Sequence, residues 1–118
     1  MEKLYSIEVV DGITVVRFFK QLTVSETIEA FDDFIARDVT SLRLWIFESG
    51  VKYSTLELRE LAEYGKKLAR LPSRNAFVVP DDLSFGLARM HEVFREQLGY
   101  ESQVFRDEQK AIAWLKSE

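Results

Sequence analysis

Four carboxylates stand where apolar runs of this sequence give way to polar ones. Glu48 follows Leu42–Phe47, Asp81 and Asp82 follow residues 75–79, and Asp107 follows residues 102–106. If those runs are parallel strands, all four gather at the C-terminal edge of the sheet, where open α/β folds place ligands. Such an edge could hold a cation through hard oxygen ligands, or serve a receiver-like or hydrolytic reaction. Hydrolysis would require the carboxylates to converge with shifted pKa values. The plainer account makes Asp81, Asp82 and Asp107 helix N-caps, where a short acceptor and a negative charge are both favourable.

The other reactive side chains are few. His91 is the single histidine. It stands four residues after Leu87, one position off an apolar helical stripe, which suits boundary packing. A histidine-based metal site needs partners that the sequence does not place nearby. No nucleophile-elbow pattern accompanies it. The five glycines are too dispersed to cradle a phosphate, and without cysteine there is neither thiolate chemistry nor a disulfide framework. No catalytic, cofactor-binding or metal-ligating residue is assigned on this basis, and no cofactor is expected.

The elements that must position these groups are legible from periodicity. Residues 4–10 alternate, with Tyr5, Ile7 and Val9 on one face, and Asp11-Gly12 is a two-residue hairpin signal leading into a second strand over residues 13–19. Thr23-Val24-Ser25-Glu26 has the capping-box pattern, and behind it Val24, Ile28, Phe31 and Ile35 form one helical face ending near Arg37-Asp38. Leu42–Phe47 is the third strand. Ser54-Thr55-Leu56-Glu57 repeats the capping box, with Ser54 at the N-cap of a second helix. Its inner stripe is Leu58, Leu61, Ala62, Gly65, Leu68 and Ala69, and it stops at Pro72. Residues 75–79 form a fourth strand. A third helix carries Leu83, Leu87, Met90, Phe94 and Leu98 inward, with Gly99 at its C-terminal cap. A brief fifth strand over 102–106 and a last helix with Ala111, Ile112 and Leu115 inward complete the order ββαβαβαβα. Alternating strands and helices imply an α/β fold with a mostly parallel five-stranded sheet, the first strand antiparallel at an edge.

The 118 residues fit one domain, residues 1–118, with enough chain for a single core. Sixteen Lys and Arg are scattered against twenty Asp and Glu, giving a net charge of −4, and no basic stripe emerges to engage nucleic acid. No apolar run approaches the ~20 residues a membrane span needs. The start, Met-Glu-Lys-Leu-Tyr, lacks the pattern of a signal peptide, so a cytoplasmic protein is expected.

Strand alternation adds a clue about partners. In the third strand Arg43, Trp45 and Phe47 share one face, and Phe77, Val79 and Phe105 could extend it. If helices cover both sides of the sheet, these aromatics are core. If all helices lie on one side, they form a patch open to a protein partner, a second copy of the chain or a hydrophobic ligand. Arg43 on that face suggests a rim where a guanidinium reaches solvent.

The ββαβαβαβα order, with a polar loop and capped helix after the third strand, resembles the STAS domains of anti-sigma-factor antagonists and sulfate transporters. The segment Pro80-Asp-Asp-Leu-Ser-Phe-Gly-Leu-Ala-Arg-Met-His-Glu, with Val104-Phe-Arg-Asp and Ala113-Trp-Leu, is similar to small bacterial STAS-like proteins. The resemblance implies sequential βα winding, helices mainly on one face, and a non-enzymatic regulatory module that binds protein. It also implies a phosphorylatable serine at the start of the helix after the third strand, within Asp-Ser-x-Gly. Ser54 or Thr55 holds the corresponding place, but Tyr53 stands where the aspartate would be and the glycine is missing. The same winding occurs in lipid-exchange domains, which keeps a hydrophobic small molecule or lipid as an alternative ligand.

Overall fold

The computed structural model describes residues 4–37, 39–49, 52–64, 73–81 and 101–117. Their elements, in chain order, are β1 (Tyr5–Val10), β2 (Ile13–Phe18), α1 (Val24–Ala36), β3 (Leu42–Phe47), α2 (Thr55–Tyr64), β4 (Arg74–Val78), β5 (Glu101–Phe105) and α3 (Glu108–Leu115). The five strands form one sheet in the sequential order β1-β2-β3-β4-β5. β1 pairs antiparallel with β2, and every later pairing is parallel. The helix expected between β4 and β5, with His91 and Gly99, lies outside the described residues, as does the end of the stripe from Gly65 onward.

Local chemistry accounts for the joints. Asp11 and Gly12 both take positive φ, 53° and 79°, which is the geometry of a two-residue turn whose twist matches that of the strands it joins. Thr23 caps α1 through a reciprocal box: its hydroxyl accepts from the Glu26 amide at 3.2 Å, and the Glu26 carboxylate accepts from the Thr23 amide at 2.9 Å.

Helices cover both faces of the sheet. α1 and α2 lie on one face, where Phe31, Phe34, Leu58 and Leu61 pack with Val16, Phe18, Trp45, Phe77, Val79 and Val104. α3 lies on the other, its Ala111 and Leu115 packing with Ile13, Leu44, Ile46, Ala76 and Val78. Equal-handed crossovers between strands in sequential order place α1 and α2 on one side. The chain after β5 then has no further strand to reach, and its last helix folds back beneath the second face.

This two-sided cover decides the aromatic face. Arg43, Trp45 and Phe77 are core residues, buried beneath α1 and α2, and Phe47 is half-buried against the same cluster. Phe105 does not belong with them. The pairing of Phe77 with Val104 puts Phe105 on the opposite face, against Trp114 of α3 with ring centres 5.8 Å apart. The inner stripe of α1 is also turned from the expected one: Thr27, Ala30, Phe31 and Phe34 are buried, whereas Ile35 is exposed.

Trp45 is the best-held of these side chains. At 1% exposure it lies 4.9 Å from the ring of Phe34 and 5.8 Å edge-on from that of Phe31, stacks 6.2 Å from Phe77, and donates its indole N–H to the Asn75 amide oxygen at 3.0 Å. Trp45→Ala is therefore expected to cost about 3–5 kcal/mol in equilibrium denaturant unfolding. Trp45→Glu is expected to leave no folded protein rather than a folded chain of altered oligomeric state, which circular dichroism would show.

Candidate functional site

The C-terminal edge of β2 and β3 is a stitched surface. The Glu48 amide donates to the Phe18 carbonyl at 3.0 Å, the Ser49 hydroxyl to the Phe19 carbonyl at 3.2 Å, and the Lys52 amide to the Gln21 side-chain oxygen at 3.0 Å. Tyr53 then turns inward. Its hydroxyl lies 2.5 Å from that of Thr27 on α1, and because Thr27 gives its own proton to the Thr23 carbonyl, Tyr53 is the donor between them. Desolvation by burial pushes the Tyr53 hydroxyl above its ordinary pKa, outweighing the neighbouring Thr27 and Gln21 side chains, which favour the ionised form.

Ser54 emerges from this anchor as the cap of α2. Its hydroxyl accepts from the Glu57 amide at 3.2 Å, while Glu57 Oε1 accepts from the Ser54 amide at 2.8 Å. The Ser54 side chain is exposed, and beside it Leu56 is 75% exposed, the most open of the large apolar residues among those described. Phe19, across the stitched loop, is exposed as well. Thr55 is the first residue of α2, and its side chain lies outside what is described.

Among the described residues, the carboxylates of this edge do not gather. Glu48 pairs with Arg17 of β2 at 3.1 Å, and the same guanidinium reaches Glu108 of α3 at 3.2 Å. Arg17 thus clasps the exit of β3 to the start of α3. Asp107 caps α3, its Oδ1 accepting from the amides of Gln109 and Lys110 at 2.8 and 3.2 Å. Asp81 is exposed in the turn after β4, and Asp82 lies outside the described residues. Among the described residues no three His, Asp or Glu side chains come together in a way that could hold a metal ion.

Two features had a weaker sequence signal. Thr14, Arg43, Asn75 and Ser102 pair in register across β2 to β5, making a polar row at the start of the face covered by α1 and α2. The Arg43 guanidinium lies 5.0 Å from the Phe34 ring, and its Nε donates to the Thr40 carbonyl at 3.2 Å. Asn75 donates to Ser73 at 3.0 Å, and Thr14 and Thr40 share a 2.9 Å contact. The second feature is a groove of about 250 Å³ on the second face, between the first hairpin and α3. Val10, Ile13, Val15 and Ile112 line it, with the Arg17–Glu108 and Lys116–Asp11 pairs at its ends. It is smaller than the roughly 300–1,000 Å³ typical of small-molecule sites. Sequence alternation marked only Arg43 of this row, and inter-strand register lines up the other three with it.

Compared with family models, curated proteins and solved structures, the chain matches none of them.

The loop anchor makes a pH-dependent expectation. A tyrosine whose folded pKa is raised contributes stability that is complete below its unfolded value of about 10 and is lost as pH rises through the folded value. Tyr53→Phe keeps the ring and removes the ionisable group, so its unfolding midpoint should fall less than that of wild type on moving to alkaline pH. Near neutral pH its cost should be about 1 kcal/mol, one net hydrogen bond. Ser54→Ala is likewise expected to cost about 1 kcal/mol by thermal or denaturant unfolding, and Ser54→Asp, still a good cap, close to nothing.

Proposed function

We propose that this chain is a STAS-like, non-enzymatic regulatory module that binds a protein partner through the β3–α2 loop and the first turn of α2. The observation that carries this reading is the exposed Leu56 next to the exposed Ser54, on a loop whose other side is fastened to the core by Tyr53. A large apolar side chain held in water on a rigid turn gives a partner contact area with little ordering cost. Arg59, Glu60 and Glu63 form an exposed charged rim along the same helix.

Sequential winding, an antiparallel first strand and a capped helix after the third strand support the STAS-like assignment. In that reading Ser54 is the hydroxyl in the regulatory position. A phosphate there would sit at a helix N-terminus, which favours negative charge, and would add a dianion beside the apolar contact. The lack of cysteine suits a reducing, cytoplasmic setting.

Parallel affinity captures from the source cells test the proposal. A partner should be retained by wild type and Ser54→Ala, and lost by Leu56→Glu, with circular dichroism showing all three baits folded at the capture temperature. If Leu56→Glu retains the same proteins as wild type, the binding surface lies elsewhere.

A further inference from the structure

β1 is an outer strand of the sheet, and no described residue pairs with its outer side. The phase of its backbone can be worked out. The Phe19 amide donates to the Leu4 carbonyl at 3.0 Å, and Leu4 continues the register in which Tyr5 faces Phe18. In an antiparallel ladder alternate residues make the hydrogen bonds. Leu4, Ser6, Glu8 and Val10 therefore turn their backbone groups toward β2, and Tyr5, Ile7 and Val9 turn theirs outward.

Natural edges are blunted by proline, by charged side chains and lysine above all, by a bulge or by a covering segment. The sequence of β1, Tyr-Ser-Ile-Glu-Val-Val, carries a single charge, Glu8, and neither proline nor lysine, and its pairing with β2 is continuous over all six residues. Val9 and Val10 are both about half exposed, at 53% and 52%, one on each face of the sheet.

We infer that β1 is a homodimer interface, in which β1 of a second copy pairs antiparallel with it and the two sheets become one. A two-fold axis perpendicular to the sheet demands that residues opposite each other point to the same face. The register centred on Ile7 meets every requirement. Ile7 faces its own copy and Tyr5 faces Val9, so all three outward-bonding residues find backbone partners. Ser6 faces Glu8, giving the carboxylate a hydroxyl, and Leu4 faces Val10. Both exposed valines are covered by apolar neighbours. Centring on Glu8 instead would set two carboxylates directly opposite each other, which is unfavourable. A second copy fits this edge because the strand is complementary to itself in that register.

Size-exclusion chromatography with light scattering tests the inference. Wild type should have the mass of a dimer, and Val9→Lys, at an exposed position, should halve it while circular dichroism still shows a folded chain. Leu56→Lys should remain dimeric. The chain has no cysteine, so single thiols report the register. Ile7→Cys should form an intermolecular disulfide under mild oxidation, since facing Cα atoms stand about 5.5 Å apart. Val10→Cys should not, because its two copies lie roughly 20 Å apart in this register. A monomeric wild type, a Val9→Lys dimer, or cross-linking at Val10 but not at Ile7 would each overturn the inference.

Discussion

Burial of β3 on both faces is the constraint on which the rest of this structure depends. Leu44 and Ile46 point into the layer closed by α3, and Trp45 points into the layer closed by α1 and α2. A strand buried twice has no solvent face on which to place polar residues, so its only polar side chain, Arg43, must be accommodated in the interior. It lies against the Phe34 ring with the Thr40 carbonyl on its Nε. Trp45 needs a partner for its indole N–H and finds one in Asn75, which lies on the same polar row as Arg43. Buried polar groups that bond one another specify register, because a one-residue slip would leave all of them unpaired.

That rigid centre explains why the exposed loop after β3 is well placed to present side chains. Its backbone is tied to the β2–α1 connection, and Tyr53 enters the core at its far end. Ser54 and Leu56 therefore project from a fixed platform. Tyr53 fastens this loop by packing rather than by charge, and the hydroxyl of Ser54 is committed to the cap of α2.

The two sides of the sheet differ in how completely they are closed. α3 has eight residues and packs on β3, β4 and β5, which leaves the first hairpin's second face partly open and creates the groove beside it. The Arg17 clasp to Glu48 and Glu108, and the Lys116–Asp11 pair, hold the two ends of α3 in place over that face. These pairs are partly exposed, so their value is in orientation more than in stability.

Much of this protein was legible in its sequence because it depends on neighbours in the chain. The Asp11-Gly12 turn, the capping boxes of Thr23–Glu26 and Ser54–Glu57, the Asp107 cap and the strand–helix alternation each follow from a few consecutive residues and the backbone groups beside them. Sequence periodicity also said which residues share a face within one element, as it did for Arg43, Trp45 and Phe47. It did not say what covers that face. The tertiary structure decided that Trp45 is core, that Phe105 lies on the opposite side from Phe77, that Phe34 rather than Ile35 faces inward, and that the acidic edge is split between a clasp and a cap. The reason is the same in each case: inter-strand register, and the sheet face a helix packs on, are set by contacts between residues distant in the chain, and a single residue of shift turns every side chain of a strand to the other side.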